Sequence, residues 1–97
     1  MYEIEYTSQA VADLKFFKKH EQRKILSEIL IKLQYEPTVT TRNRKRPRRN
    51  SIAQWELRIA EFRVFYNVEE QVKIVEIQRV GKKQRNIFLF RGKQEDV

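Results

Sequence analysis

Between Trp55 and Val68 the chain alternates with a period of two. Trp55, Leu57 and Ile59, then Phe62, Val64, Tyr66 and Val68, are apolar, and Glu56, Arg58, Arg63 and Asn67 fall between them. Successive side chains of a strand point to opposite faces, so this pattern makes two adjacent half-buried strands. With Ala60-Glu61 as a two-residue turn, residue 59 pairs with 62, 58 with 63, 57 with 64 and 55 with 66. One face of the hairpin is then apolar, and Arg58 stands opposite Arg63 on the other. The apolar face requires a second layer to cover it.

That layer is legible upstream. Tyr2, Ile4 and Tyr6 alternate with glutamates as the inner face of an opening strand, and Thr7 or Ser8 can cap a helix. Val11, Leu14 and Phe17 follow at threefold spacing, widened by Ala10 and Phe16, which predicts a first helix to about Lys19. A second helix is expected from Glu21 to about Tyr35, with Leu26, Ile29, Leu30 and Leu33 on one face and Glu36-Pro37 ending it. After a turn at Glu69-Glu70-Gln71, Val72, Ile74, Val75 and Ile77 form a third strand with apolar residues on both faces, as a central strand requires, ending at Gly81. The short run Ile87 to Phe90 and a turn at Gly92 complete a single domain over residues 1–97.

Residues 38–51 interrupt this order. They lack apolar periodicity and are expected to form a loop or irregular edge segment. Arg42, Arg44, Lys45, Arg46, Arg48 and Arg49 lie there and supply six of the eight net positive charges. A local patch of this kind favours a polyanion, whether nucleic acid or an acidic protein. With no cysteine and one histidine, a bound metal is not expected. No apolar run reaches the length of a membrane span, and the opening residues lack the pattern of a signal peptide, so a cytoplasmic protein is expected.

The candidate site follows from the hairpin. Two arginines directly opposed on a sheet repel by up to about 1 kcal/mol. Either they grip a phosphate with paired guanidinium forks, or Glu56 and Glu61 neutralise them as solvent-facing pairs. Lys82, Lys83 and Arg85, beside Arg79, lie past the third strand, where they can close the same cationic surface. His20 falls in the link between the helices, away from that surface. Trp55, Phe62 and Tyr66 read as core, leaving Phe65 and Tyr35 as the aromatics available to a ligand.

The order of a strand, a helical hairpin, a basic loop, "WELRIAEFRVFYNV" and "VKIVEIQRVGKK" resembles the RelE/ParE superfamily of type II toxin–antitoxin toxins over nearly the whole chain. The resemblance implies an α+β fold, with an N-terminal strand and a two-helix hairpin packed on a small, mostly antiparallel sheet. It further implies a metal-independent endoribonuclease without cofactor, which binds mRNA in the ribosomal A site and cleaves it by attack of the ribose 2′-hydroxyl on the next phosphate. Arg63 would stabilise the transition state, joined by Arg58 and by Lys82 or Lys83. Glu56 would serve as the base or merely as a partner of Arg58. Gln54 and Glu56 stand where RelE has lysines, and the C-terminal tyrosine of RelE is replaced by Ile87 to Phe90. Arg42, Arg44, Lys45, Arg46, Arg48, Arg49, Arg79 and Arg85 would hold nucleic-acid backbone. An acidic antitoxin is the implied partner. The shared fold also allows a ParE-like inhibitor of DNA gyrase, or an RNA-binding module without catalysis.

Overall fold

The computed structural model describes residues 1–46 and 52–95. Arg48 and Arg49 lie outside the described residues. In chain order the elements are β1 (Glu3–Tyr6), α1 (Ser8–Phe16), α2 (Lys19–Leu33), β2 (Arg44–Lys45), β3 (Trp55–Ile59), β4 (Phe62–Glu69), β5 (Ile74–Gln84), β6 (Ile87–Phe90) and β7 (Lys93–Gln94). The sheet runs β2-β3-β4-β5-β6-β7, antiparallel throughout, and β1 joins β5 in parallel. This is the α+β arrangement that the sequence predicts.

Both helices lie on one face of the sheet. Ala10, Leu14 and Phe17 of the first helical segment and Ile25, Ile29 and Leu33 of α2 pack with Trp55, Leu57, Ile59, Phe62, Val64, Tyr66, Val75, Ile77 and Val80. The hairpin register is the one expected from alternation, with Arg58 opposite Arg63. Helix boundaries differ from the prediction for local reasons. Thr7 caps α1 by accepting the Ala10 N–H, and α1 stops at Phe16 because Phe17 turns extended. α2 starts early at Lys19, where the Glu21 carboxylate accepts the Lys18 N–H. Its buried stripe is Ile25, Ile29 and Leu33, so Leu26 and Leu30 stand outside the core rather than within it.

β5 is longer than expected, running past Gly81 to Gln84, because β6 pairs with its last residues. Its edge is occupied in two pieces. β1 covers Ile74–Ile77 and β6 covers Lys82–Gln84, which leaves Gln78–Gly81 facing α1. There Thr7 Oγ1 donates to the Gln78 carbonyl at 2.9 Å and the Asp13 carboxylate accepts the Val80 N–H at 3.0 Å. The fully buried Asp13 also receives Arg79 through both oxygens, at 2.8 and 3.2 Å, and Arg91 at 3.1 Å. Asp13 sits on the apolar stripe of α1, among its buried residues. A charged residue on a buried helical face was the available signal.

Two measurements test these interactions. Asp13→Ala leaves the nearly buried Arg79 without its main partner, and is expected to cost about 3–5 kcal/mol in urea denaturation; a loss below about 1 kcal/mol would show that Glu95 alone suffices to hold Arg79. The Tyr66 hydroxyl donates to the Pro37 carbonyl at 2.6 Å, and burial pushes its pKa well up, with Arg44 opposing. Above pH ~10, where an exposed tyrosine ionises, the unfolded chain releases this proton while the folded chain retains it. Stability therefore falls as pH rises past that point, and Tyr66→Phe should flatten the fall.

Candidate nucleic-acid interface

The sheet face opposite the helices is built from the polar positions of the same strands. Residues directly opposite in an antiparallel pair share a face. The chain of registers Lys45↔Glu56, Arg58↔Arg63 and Arg63↔Gly81 therefore places Lys45, Glu56, Arg58 and Arg63 on this open face, and Lys83 joins them two residues beyond Gly81. The cations form a row across β2, β3, β4 and β5.

At its centre Glu56 is nearly buried between the two arginines. Its Oε2 lies 3.5 Å from Arg58 Nε and 3.7 Å from Arg63 Nε. One carboxylate faces two guanidiniums, so the cluster keeps a net positive charge. Arg63 is the more enclosed arginine: its Nη1 donates to the carbonyls of Ala60 and Phe62 at 2.7 and 2.8 Å, and its buried Nε makes no hydrogen bond. Burial lowers the Arg63 pKa; Glu56 opposes this and Arg58 adds to it. A desolvated guanidinium held by backbone carbonyls is fixed in orientation. Glu61, the other candidate neutraliser, forms no ion pair among the described residues.

A β-bulge decides which strand-end lysine belongs here. Between Phe65 and Tyr66 the register shifts, so that Phe65 pairs with Arg79 and Tyr66 with Ile77, leaving Gln78 as the extra residue. Ile77 and Val80 consequently both face the core, and the open face receives Arg79, Gly81 and Lys83. Lys82 lies on the other side, with its ammonium 5.6 Å from the Phe62 ring. The Lys83 ammonium stands 5.5 Å from the Phe88 ring. Lys82 is thereby separated from the arginines that it was expected to join.

Several of the other candidate residues have partners within the fold. Arg79, expected on nucleic acid, is bound by Asp13 and Glu95, with its guanidinium 4.3 Å from the Phe90 ring. Its pKa is raised, chiefly by the hydrogen bonds it donates to Asp13. Arg44 faces the helices and donates to the carbonyls of Lys32 and Glu36, both at 2.7 Å, and Arg46 lies over the Trp55 ring at 5.3 Å. Phe65 is fully buried against the Phe88 and Phe90 rings, and the Phe90 ring also fills the space above Gly81. Arg42 and Arg85 are exposed, Arg85 in the β5–β6 turn. His20 and Tyr35 are on the helical layer, away from the row.

The architecture is similar to that of solved toxin structures. Against the M. tuberculosis RelBE2 toxin–antitoxin complex the TM-score is 0.72 at 23% identity, covering 84% of this chain and 98% of that one. For the RelE–RelB complex of Pyrococcus horikoshii the values are 0.69, 23%, 87% and 97%. For the isolated E. coli RelE toxin they are 0.63, 14%, 88% and 87%. At these identities the likeness is one of fold. No curated protein sequence matches the chain. Residues 4–87 match the family described as "ParE toxin of type II toxin-antitoxin system, parDE". A match over that span, on a fold shared with RelE toxins, establishes that the chain belongs to the RelE/ParE family of type II toxin–antitoxin toxins.

Proposed function

We propose that the chain is the toxin of a type II pair that cleaves ribosome-bound mRNA and so arrests translation, with an acidic antitoxin as its neutralising partner. The observation that carries this reading is the buried Glu56 carboxylate set between the opposed Arg58 and Arg63. Attack of a 2′-hydroxyl on the adjacent phosphate requires a base at that hydroxyl, positive charge on the pentavalent phosphate and a proton for the leaving 5′-oxygen. Glu56 takes the first role and Arg63 the second, with Arg58 sharing the phosphate. Lys83, an ammonium on the same face, can supply the proton. The ribosome's part is to hold the mRNA so that the reacting atoms meet this row, as RelE-like toxins require.

A second reading, inhibition of DNA gyrase without hydrolysis of nucleic acid, is favoured by one feature. β6 brings only phenylalanine rings to the open face, where no tyrosine hydroxyl or imidazole stands among the described residues. Controlled expression separates the two, with translation, mRNA ends and DNA supercoiling followed in parallel. Codon-phased cuts in translated regions are expected, and Arg63→Ala should lower their rate about 10²–10³-fold. Loss of supercoiling with intact mRNA would replace the nuclease reading by gyrase inhibition. The bulge adds a sharper expectation: Lys83→Ala should reduce cleavage more than Lys82→Ala, and the reverse order would contradict the assignment of Lys83 to the site.

A further inference from the structure

The pleat of β2 divides the basic run that the sequence presents as one patch. Arg44 is opposite Leu57, on the helix side, and Lys45 is opposite Glu56, on the open side. We propose that Lys45 is a nucleic-acid contact, the fourth cation of the open-face row, and that Arg44 is the residue that positions it. This assignment rests on the reading of the chain as a toxin acting on RNA, and extends the track of the bound strand from Lys83 through Arg63 and Arg58 to Lys45.

Two residues of strand cannot hold themselves in place by pairing alone. β2 is held from the helix side. Arg44 Nη1 bridges the carbonyls of Lys32 and Glu36 at the end of α2, where unpaired carbonyls favour a cation. Thr41 accepts the Arg44 N–H through its hydroxyl at 3.1 Å and donates its own N–H to the Arg44 carbonyl at 2.8 Å. Arg58 N–H adds a bond to the Asn43 carbonyl at 2.8 Å. Arg44 is thus occupied, and it fixes the backbone from which Lys45 projects.

Lys45 has no such employment. Among the described residues no carboxylate lies within ion-pair distance of its ammonium, although Arg58 and Arg63 both share Glu56. Lys45 is level with Arg79 through the registers Lys45↔Glu56, Glu56↔Phe65 and Phe65↔Arg79, and Lys83 lies four residues further along β5. Three strand spacings of about 4.8 Å combined with that offset make the row a diagonal of roughly 20 Å. That length suits a run of single-stranded backbone rather than a single phosphate.

The test uses a single-stranded RNA with 2′-O-methyl riboses, which cannot undergo 2′-hydroxyl attack, and measures its affinity for the full chain over a range of salt. Lys45→Ala should reduce the slope of log affinity against log salt by about 0.7, the value for one phosphate contact on a single strand, or about fivefold in affinity across a tenfold range of salt. Arg44→Gln should produce the same reduction, Arg44→Lys should recover part of it, and the double variant should lose no more than Lys45→Ala. Thermal unfolding of each variant identifies any that fails to fold, and Lys45→Ala, a surface change, carries the test if Arg44→Gln does so. An unchanged slope in Lys45→Ala, an equal loss in Arg46→Ala, or no binding by the unaltered protein would overturn the proposal. Ribosomal cleavage of unmodified mRNA is scored separately: its absence beside the expected slopes removes the nuclease reading and leaves Lys45 as a contact, whereas cleavage with an unchanged slope removes Lys45.

Discussion

The carboxylate of Asp13 holds together the part of the molecule where the sheet is incomplete. An edge strand with unpaired N–H and C=O groups inside a core is costly, and β5 has such a stretch between the end of β1 and the start of β6. α1 fills it with side chains instead of a strand: Thr7 reaches the Gln78 carbonyl and Asp13 the Val80 N–H. A buried carboxylate must itself be satisfied, and Arg79 and Arg91 do so. Arg79 then holds Glu95, and Phe16 packs at 3.3 Å from where a Cβ on Gly92 would stand. One acidic residue thereby ties the first helix, the central strand and the C-terminal hairpin to each other.

The bulge at Gln78 lies within the same gap, and its effect reaches the interface. It turns Arg79 onto the open face while Val80 stays in the core, and every later residue of β5 keeps the shifted phase. Gly81 therefore falls beside Arg63. A side chain at that position would meet the Leu89 carbonyl at 2.7 Å and the Phe90 ring at 2.9 Å, so the space is already taken by β6. Lys83, not Lys82, becomes the β5 lysine on the same face as Arg63.

Turn chemistry contributes little to this architecture. Ala60, Lys73, Arg85 and Arg91 all adopt left-handed backbone conformations in the hairpin turns, where glycine or asparagine would be easier, at about 1–2 kcal/mol each. Strand pairing and core burial outweigh that cost, which is why alternation predicted the β3–β4 register although the Ala60-Glu61 turn carries no strong turn signal. At Ala60 the carbonyl that the strained turn presents accepts a hydrogen bond from Arg63.

Period-two alternation from Trp55 to Val68 determined the hairpin, its register and the facing of Arg58 and Arg63, because the pleat leaves a strand only two phases and one of them buries charge. The apolar spacing upstream determined two helices and the layer they cover, though not their ends, which depend on caps such as Thr7 and Glu21. The fate of the cations outside the hairpin was not legible. The six between Arg42 and Arg49 look equivalent in sequence, yet pairing of β2 with β3 sends Arg44 to the end of α2 and Lys45 to the open face, and the buried Asp13 takes up Arg79, leaving it nearly buried. Which lysine follows Gly81 onto the open face depended on a single extra residue in β5. That choice is made by the packing of Ile77 and Val80 against the helices, a contact between segments distant in the chain, and only the tertiary structure contains it.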